Sequence, residues 1–405
     1  MKTKILKIYK KVKNHFLRST RKYFKRRYLW PAIKAISVTM FFAVIAAEYF
    51  ETRVQPPAPS AQENYDNKIG QMLMVGFRGT QAAEDSYIAK AIGELNLGGV
   101  ILFDFDVPSK SVPRNITDPE QTKKLVADLK VFSRNEPLLV AVDAEGGKVN
   151  RLNPSMGFAD IPSAKNLGKS GSGSALESYW TLARQLSDLG FNVNFGPVVD
   201  VNINPRNPVI GGIERSYSAI AGNIAPLARA FVAAHRSFGI ITSLKHFPGH
   251  GSSNSDSHLG LADVTDTYDK DELLPYEQLL KNGAVDSVMT AHIIDRDVDP
   301  DYPATLSPLF IQSILRQDLG FDGVVFSDDM QMGAIVDNYG FEDAVIRAVN
   351  AGCDILVFSN NGREYDETVP YRARDIISKA VTDGRISKDR INQAYARIME
   401  LKNKL

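Results

Sequence analysis

Cysteine is almost absent from this 405-residue chain, which contains a single one, Cys353. An internal disulfide is therefore excluded. Because one cysteine is compatible with any redox compartment, it does not indicate where the protein resides. Apolar residues make up 44% of the chain and charged residues 23%. A large hydrophobic core is therefore available, and general disorder is not expected.

Acidic residues are missing from the chain before Glu48, whereas 13 of the 48 lysines and arginines lie between Lys2 and Lys34. The remaining chain has 35 basic residues against 47 acidic ones, although the net charge of the whole is only +1. A basic arm thus precedes an acidic body. An acidic body argues against a nucleic-acid-binding surface, so we expect no nucleic-acid partner.

Charge is also missing from Ala35–Ala47, inside an apolar segment that runs from Trp30 to Phe50. About 20 apolar residues span a bilayer, so this segment predicts an anchor in the cytoplasmic membrane that leaves the body outside the cytoplasm. A cleaved signal peptide, giving a secreted or periplasmic protein, and an amphipathic surface helix are the alternatives. The predicted organisation is a basic cytoplasmic arm (1–29), the hydrophobic segment (30–50), a linker (51–65) and a folded body (66–405).

Short apolar runs alternate with longer helical patterns from Ile69 onward, which is typical of repeated β-α units around a parallel sheet. The predicted strands are Met72–Gly76, Gly99–Phe103, Leu138–Asp143, Phe191–Val199, Thr242–Lys245, Ser287–Ala291, Gly323–Ser327 and Ile355–Phe358. The predicted helices include Gln121–Phe132, Ala175–Leu189, Ile220–Phe238, Asp269–Asn282 and Ser307–Leu319. This pattern predicts an α/β fold, a single (β/α)₈ TIM barrel, with a doubly wound open sheet as the alternative.

Several predicted strands end in polar or ionisable residues. These are Asp143, Asp200, Lys245 with His246, His292 and Asp328. The carboxyl ends of barrel strands form the face on which active sites are assembled. Burying so many polar groups without a purpose would be costly. We therefore expect most of them at a functional site and one or two as helix caps or structural ion pairs.

The loop after the fifth predicted strand, KHFPGHGSSNSDSHLG, contains His246, His250 and His258. Three histidines could bind a metal, but their irregular spacing lacks a typical zinc pattern, so no metal site is predicted. Asp256 lies two residues before His258, where its carboxylate can fix the ring tautomer and raise the basicity of the ring. The pair is therefore a candidate general acid/base.

The seventh predicted strand, GVVFSDDM, ends in two adjacent carboxylates, Asp328 and Asp329. Alternation directs their side chains to different sides, so one can enter the barrel mouth while the other caps the following helix. A carboxylate at the mouth can attack an anomeric carbon and form a glycosyl-enzyme intermediate. A metal ligand and a structural cap are the alternatives that the local sequence leaves open.

These motifs resemble glycoside hydrolase family 3, and more narrowly its β-N-acetylglucosaminidase branch, whose bacterial members recycle cell-wall muropeptides. The resemblance extends over about 69–402. Its motifs are KHFPGHG at Lys245–Gly251 followed by Asp256-Ser257-His258, AVDAEGGKVNRL at Ala141–Leu152, NFGPVVDVN at Asn194–Asn202, IERSY at Ile213–Tyr217, VMTAHI at Val288–Ile293 and VVFSDDM at Val324–Met330.

The resemblance implies a role for each matching residue. It implies that Asp328 is the nucleophile, that His258 is the acid/base and that Asp256 is the dyad partner of His258. It further implies that the terminal sugar is held by Asp143, Arg151, Arg215, Lys245 and His246. The implied activity is that of a retaining β-N-acetylhexosaminidase that acts on peptidoglycan fragments or chito-oligosaccharides without a cofactor or metal.

Three other functions compete with this one. A phosphorylase could use the same residues, since a histidine that is neutral when deprotonated repels phosphate less than a carboxylate does. A β-glucosidase or β-xylosidase of the same family is the second, although that branch usually carries its acid/base on another domain, and none is expected here. The third is a membrane-tethered glycan-binding protein, against which the intact set Asp328, Asp256 and His258 argues.

Overall fold

The computed structural model describes residues 65–133 and 136–405. Within them, parallel strands form a closed barrel in which each strand pairs with its neighbours in chain order and the last pairs with the first. The barrel strands are β1 (Leu73–Gly76), β2 (Gly99–Leu102), β3 (Leu139–Val142), β4 (Val193–Asn194), β5 (Ile241–Phe247), β6 (Ser287–Thr290), β7 (Val324–Asp329) and β8 (Ile355–Phe358). Leu73 of β1 pairs with Leu356 of β8. This closure confirms the TIM barrel and excludes the open sheet.

Helices follow the strands along the chain. They are α1 (Tyr65–Gln71), α2 (Tyr87–Leu95), α3 (Pro119–Val131), α4 (Ala164–Ser170), α5 (Ser172–Leu189), α6 (Ile224–Arg236), α7 (Leu274–Lys281), α8 (Leu309–Asp318, wound as a π-helix), α9 (Gly333–Val336), α10 (Phe341–Ala351), α11 (Val369–Thr382) and α12 (Lys388–Lys402). The predicted helices correspond to α3, α5, α6, α7 and α8. A 3₁₀ turn, Lys270–Leu273, precedes α7.

Local sequence explains where the helices begin and why the strands lie in the barrel wall. Ser86, Asp118 and Ser387 each accept a backbone N–H bond in the first turn of α2, α3 and α12, which satisfies donors that the helix leaves unpaired. Four of the eight barrel strands are continuous apolar runs buried over their whole length, as expected for a parallel sheet covered on both faces.

Strand β4 is much shorter than the predicted run Phe191–Val199, because the regular ladder ends after Asn194. Pro197 has no N–H to donate, so the chain cannot continue the ladder there. Val198 returns to the sheet through a single bridge to Lys245. Asp200 is thereby carried beyond the strand end and close to the loop after β5.

The predicted basic arm, the hydrophobic segment and nearly all of the linker lie outside the described residues. Among the residues that the structure describes, no helix is both long and apolar enough to cross a membrane. The proposed anchor at 30–50 therefore stays a prediction, as do the domain boundaries.

Candidate active site

A cavity of about 530 Å³ opens at the carboxyl ends of the barrel strands. The predicted site residues that line it are Asp143, Arg151, Arg215, Lys245, His246, His258 and Asp328. They come from the ends of β3, β5 and β7 and from the loops that follow β3, β4 and β5. Asp256 contacts the ring of His258 from behind. The fold therefore brings all eight predicted site residues to one place, as the strand-end pattern led us to expect.

Lys245 lies at the centre of a buried ionic cluster at this site. Its Nζ is 2.7 Å from Asp143 Oδ1 and 2.7 Å from Glu145 Oε1. Glu145 also accepts two bonds, of 2.8 and 2.7 Å, from Nε and Nη2 of Arg215. Such fork-shaped pairs fix both orientation and charge. The cluster holds the Lys245 ammonium and the Arg215 guanidinium still before any ligand arrives.

The cations of this cluster keep its carboxylates ionised. Burial raises the pKa of Asp143, but Lys245 and Arg151 outweigh burial and bring that pKa to about 2. Burial likewise raises the pKa of Glu145, and Arg215 and Lys245 shift it to below its ordinary value. Both carboxylates therefore act as hydrogen-bond acceptors at neutral pH.

Arg151 differs from the other cations of the site. Its Nε is buried and has no partner among the described residues. Its guanidinium lies 5.6 Å from the ring centre of Phe103 and lines the cavity. A buried donor without a partner is costly, so this guanidinium is less firmly fixed by the protein than that of Arg215.

His246 is oriented by Asp200, which the sequence placed at a strand end but not in the site. Asp200 Oδ2 is 2.7 Å from His246 Nδ1, and Asp200 Oδ1 accepts from the backbone N–H groups of His246 and His250. Arg215 Nη2 lies 3.2 Å from His246 Nε2. Since a guanidinium only donates, the neutral ring carries its proton on Nδ1. Burial raises the pKa of Asp200, but His246 outweighs burial and the pKa is lowered.

The predicted dyad forms on the loop after β5. His258 Nδ1 is 2.7 Å from Asp256 Oδ1, and the same oxygen accepts from the backbone N–H of His258 at 2.9 Å. The side chain of His258 is 60% exposed and that of Asp256 is 28% exposed. With Nδ1 occupied by the carboxylate, Nε2 is left to exchange a proton with a ligand.

The first half of this loop is anchored by buried polar groups. The Glu272 carboxylate accepts from the backbone N–H groups of Gly251 at 2.7 Å and Ser252 at 3.1 Å. Burial raises the pKa of Glu272 to about 8. The side chain of Asn207 donates to the carbonyl of His250 at 2.6 Å. The chain is therefore fixed up to Ser252.

Further contacts hold the second half of the loop, which carries the dyad. His250 Nε2 lies 3.1 Å from Ser257 Oγ. The carbonyls of Ser257 and His258 accept from the backbone N–H groups of Ala334 and Gly333. A Cβ at residue 333 would lie 2.9 Å from the carbonyl oxygen of His258, so this close approach requires glycine. The dyad thus rests on the segment that follows Asp328.

Asp328 and Asp329 both border the cavity, but the carboxylate of Asp329 is tied to Ser359 and Gln331. Asp328 lines the cavity. Burial raises its pKa, but the imidazoles of His292, His246 and His258 outweigh burial, and its pKa is lowered. A buried carboxylate that stays ionised is suited to nucleophilic attack.

Asp329 does not cap the following helix, so that interpretation was wrong. Its side chain accepts from the backbone N–H of Ser359 at 3.0 Å, from Ser359 Oγ and from the backbone N–H of Gln331 at 3.1 Å. Asp329 therefore joins the ends of β7 and β8, because the neighbouring strand presents unpaired donors at the point where the ladder ends.

His292 is structural. Its Nδ1 lies 2.8 Å from Thr305 Oγ1, and its Nε2 lies 2.9 Å from the carbonyl oxygen of Asp329. Both nitrogens are therefore occupied inside the protein. This strand end is one of the exceptions that the sequence led us to expect.

The three histidines of the loop after β5 contact separate groups: His246 contacts Asp200, His250 contacts Ser257 and His258 contacts Asp256. In residues 65–133 and 136–405, no three His, Cys, Asp or Glu side chains form a group that could hold a metal ion.

Sequence reasoning missed three residues that support the site: Glu145, Asp200 as the partner of His246, and Glu272. Glu145 could have been predicted, because it lies only two residues after Asp143 at the same strand end. Asp200 stood at a predicted strand end. Glu272 lies in a helical pattern among other charged residues, where it reads as a solvated side chain.

Comparison with known proteins gives a consistent result. The profile described as "Glycosyl hydrolase family 3 N terminal domain" matches residues 64–401. A beta-hexosaminidase of Idiomarina loihiensis is 33% identical over 298 residues, which are 71% of this chain and 84% of that protein. Beta-hexosaminidase A of Pseudoalteromonas piscicida is 31% identical over 388 residues, or 87% of this chain. This chain spans only 62% of the length of the Pseudoalteromonas protein.

Solved structures show the same likeness. A glycoside hydrolase family 3 beta-N-acetylglucosaminidase of Paenibacillus sp. str. FPU-7 superposes with a TM-score of 0.75 at 37% identity, over 84% of this chain and 62% of that one. A beta-N-acetylhexosaminidase of Beutenbergia cavernae superposes with a TM-score of 0.73 at 27% identity, over 84% of this chain and 98% of that one.

Proposed function

Because this chain belongs to glycosyl hydrolase family 3, we propose that it is a retaining β-N-acetylglucosaminidase. It removes the terminal non-reducing β-linked N-acetylglucosamine from chito-oligosaccharides or peptidoglycan fragments. The observation that carries the proposal is the meeting of an ionised buried carboxylate, Asp328, and a histidine–aspartate dyad, His258 with Asp256, at one cavity. The beta-hexosaminidase names of the relatives support the choice of sugar.

Sugar recognition is assigned to the buried end of the cavity. Lys245, Arg151 and Arg215 present donors to sugar hydroxyls, while the ionised Asp143 accepts from them. His246, oriented by Asp200, completes the set. These groups are already held by the ionic cluster, so little ordering is needed on binding. Charge-assisted bonds of this kind fix the ring with its anomeric carbon next to Asp328.

The reaction is a double displacement. In the first step, protonated His258 donates its Nε2 proton to the glycosidic oxygen while an Asp328 oxygen attacks C1, and the leaving sugar departs as an alcohol. In the second step, neutral His258 takes a proton from water, whose oxygen attacks C1 and releases Asp328. Two inversions give net retention. Asp256 keeps the ring in the tautomer that both steps require.

The test is an assay of the full chain on a chromogenic β-N-acetylglucosaminide and the matching β-glucoside, with His258→Ala, Asp328→Ala and exposed Asp297→Ala as a control. We expect cleavage of the first substrate only, a loss of about 10²–10⁴-fold for His258→Ala, a greater loss for Asp328→Ala, and full activity for the control. A fluorinated N-acetylglucosaminyl fluoride should label Asp328 covalently, as mass spectrometry of the peptides would reveal.

The same assay separates the competing functions. If N-acetylglucosamine 1-phosphate appears among the products in phosphate buffer, the enzyme is a phosphorylase and not a hydrolase. Cleavage of the glucoside would indicate a β-glucosidase. If His258→Ala kept full activity, the dyad would have no catalytic role.

Export of the body is a separate proposal, supported by the basic arm before Lys34 and the uncharged Ala35–Ala47. We propose that the segment 30–50 anchors the protein in the cytoplasmic membrane with the barrel outside. Protease added to intact spheroplasts should degrade the barrel and leave a small membrane-bound fragment. If the protease does not degrade the barrel, the barrel is not exported. If the barrel is found in the soluble fraction and not with the membranes, the segment 30–50 has been cleaved.

A further inference from the structure

The rim of the cavity exposes large apolar side chains that the chemistry above does not use. Phe105 and Val107, in the loop after β2, and Leu259, next to the dyad, line the cavity. Phe105 is 39% exposed and Leu259 is 76% exposed. Exposed apolar side chains that line the mouth of a cavity with polar groups indicate a surface that a ligand covers.

Phe105 is presented by a firmly held loop. The side chain of Asn361, in the loop after β8, accepts from the backbone N–H of Val107 at 2.9 Å and donates to the carbonyl of Phe105 at 3.0 Å. Asp106 forms ion pairs with Arg78, at 2.9 Å, and with buried Arg114. The aromatic ring is therefore displayed by a backbone that is ordered without ligand, which reduces the entropy lost on binding.

The position of the dyad identifies which part of a substrate would reach this rim. His258 donates its proton to the oxygen of the leaving group, so the leaving group must lie beside His258. Leu259 is the next residue and lines the same cavity. The charged groups assigned to the terminal sugar lie at the buried end. The exposed rim is consequently left for the group that departs.

The charge at the rim indicates an uncharged group. Arg363 lines the cavity, but Asp337 already accepts two bonds of 2.7 Å from its guanidinium. The carboxylate of Asp106, which Arg78 and Arg114 share, is buried behind the rim and does not line the cavity. An exposed aromatic face next to a cation that is already paired suits the C–H face of a pyranose ring better than a carboxylate.

We propose that Phe105, with Val107 and Leu259, forms the binding site for the leaving-group sugar, and that this site takes an uncharged β-linked N-acetylhexosamine ring. The inference rests on the proposed function and narrows its substrate class to chito-oligosaccharides. Phe105 is then a residue that determines specificity and takes no part in the chemistry.

The test compares chitobiose, which fills this site, with methyl N-acetyl-β-glucosaminide, which does not. An aromatic contact contributes roughly 0.5–1.5 kcal/mol, so Phe105→Ala should lower kcat/KM on chitobiose by about three- to tenfold and leave the methyl glycoside unchanged. Phe105→Tyr should retain the wild-type ratio. Val112→Ala is the matched control, because Val112 is 60% exposed in the same loop and does not line the cavity.

The outcomes separate this inference from the function beneath it. If the wild type cleaves neither substrate, the proposed function fails. If it cleaves both and Phe105→Ala changes both equally or neither, the function stands and the sugar site at Phe105 is overturned. A third substrate, N-acetylglucosaminyl-β-1,4-N-acetylmuramic acid, tests the charge. The wild type should prefer chitobiose, and a preference for the muramic acid conjugate would overturn the uncharged assignment.

Discussion

Replacing Glu145 by glutamine tests the buried cluster that holds the sugar-binding cations. Glu145 accepts two bonds from Arg215 and one from Lys245, each between 2.7 and 2.8 Å. A hydrogen bond to a charged group contributes about 1.5–3 kcal/mol and a neutral one about 0.5–1.5 kcal/mol. Glutamine keeps one acceptor oxygen and replaces the other by an NH2 donor that faces Arg215 or Lys245, so at least one of the three bonds is lost and the rest lose their charged acceptor. We expect a loss of roughly 3 kcal/mol in the free energy of unfolding. This loss matches the lower end of the range for breaking a buried pair.

Activity should fall with stability in this variant. Lys245 keeps Asp143 as a partner, but Arg215 loses its only charged partner in the cluster and is no longer fixed against His246. We expect KM for the chromogenic N-acetylglucosaminide to rise about tenfold or more, since roughly 1.4 kcal/mol of positioning is lost. The chemistry at Asp328 is untouched, so kcat should change less than KM.

Urea unfolding measures the loss in the free energy of unfolding, provided that the dependence of this free energy on urea concentration is the same in both proteins. Glu342→Gln is the matched control. Glu342 pairs with Arg385 at 2.9 Å on the exposed surface, where the same substitution should cost under about 0.5 kcal/mol. The pKa of Glu145 is lowered in the folded state. Its contribution is therefore present above the ordinary glutamate pKa and is lost as the pH falls through the lower, folded-state value. If Glu145→Gln unfolded like the control and bound substrate normally, the cluster would not hold the site.

Two further predictions concern the loop after β5 and acid stability. Ser257→Ala removes the contact with buried His250 Nε2 and should lower kcat about tenfold, because His258 is then positioned less well. Ser255→Ala, at an exposed position of the same loop, should leave kcat unchanged. Equal kcat in the two variants would show that the Ser257–His250 contact does not hold the loop. Burial lowers the pKa of His235 to about 4. The contribution of His235 to the free energy of unfolding should therefore rise by roughly 3 kcal/mol between pH 4 and about pH 6.5. His235→Gln should flatten this slope in pH-dependent urea unfolding, and an unchanged slope would show that His235 does not cause it.

The strand pattern of the sequence predicted the repeated β-α units, and the closure of the sheet in the structure decided between the barrel and an open sheet. Four of the eight barrel strands are continuous apolar runs, because burial of a parallel strand on both faces favours apolar side chains at every position. Strand β4 shows the limit of this reasoning: the run Phe191–Val199 is buried throughout, yet only Val193–Asn194 pair as a regular strand. Hydropathy predicts which residues are buried. It does not predict that strand pairing stops at Pro197, which lacks a backbone hydrogen-bond donor.

The residues proposed to carry the chemistry were also predicted from sequence. Asp328, His258 and Asp256 lie in short motifs at strand ends, and the closed barrel places strand ends on one face. The interpretation of Asp329 as a helix cap failed because its actual partner, Ser359, is 30 residues further along the chain. Local sequence contains no information about which donor a neighbouring strand presents.

The sequence by itself determined the repeated β-α units and the family, since these are encoded in local hydrophobic patterns and contiguous motifs, and it predicted the residues of the candidate site. Only the tertiary structure decided how those residues are supported. Glu145 meets Arg215 across 70 positions, Asp200 meets His246 across 46, and Asn361 meets Phe105 across 256. Closure of the barrel brings these partners together although they are far apart in sequence. A hydrogen bond depends on the distance between two atoms in space, which local sequence does not specify.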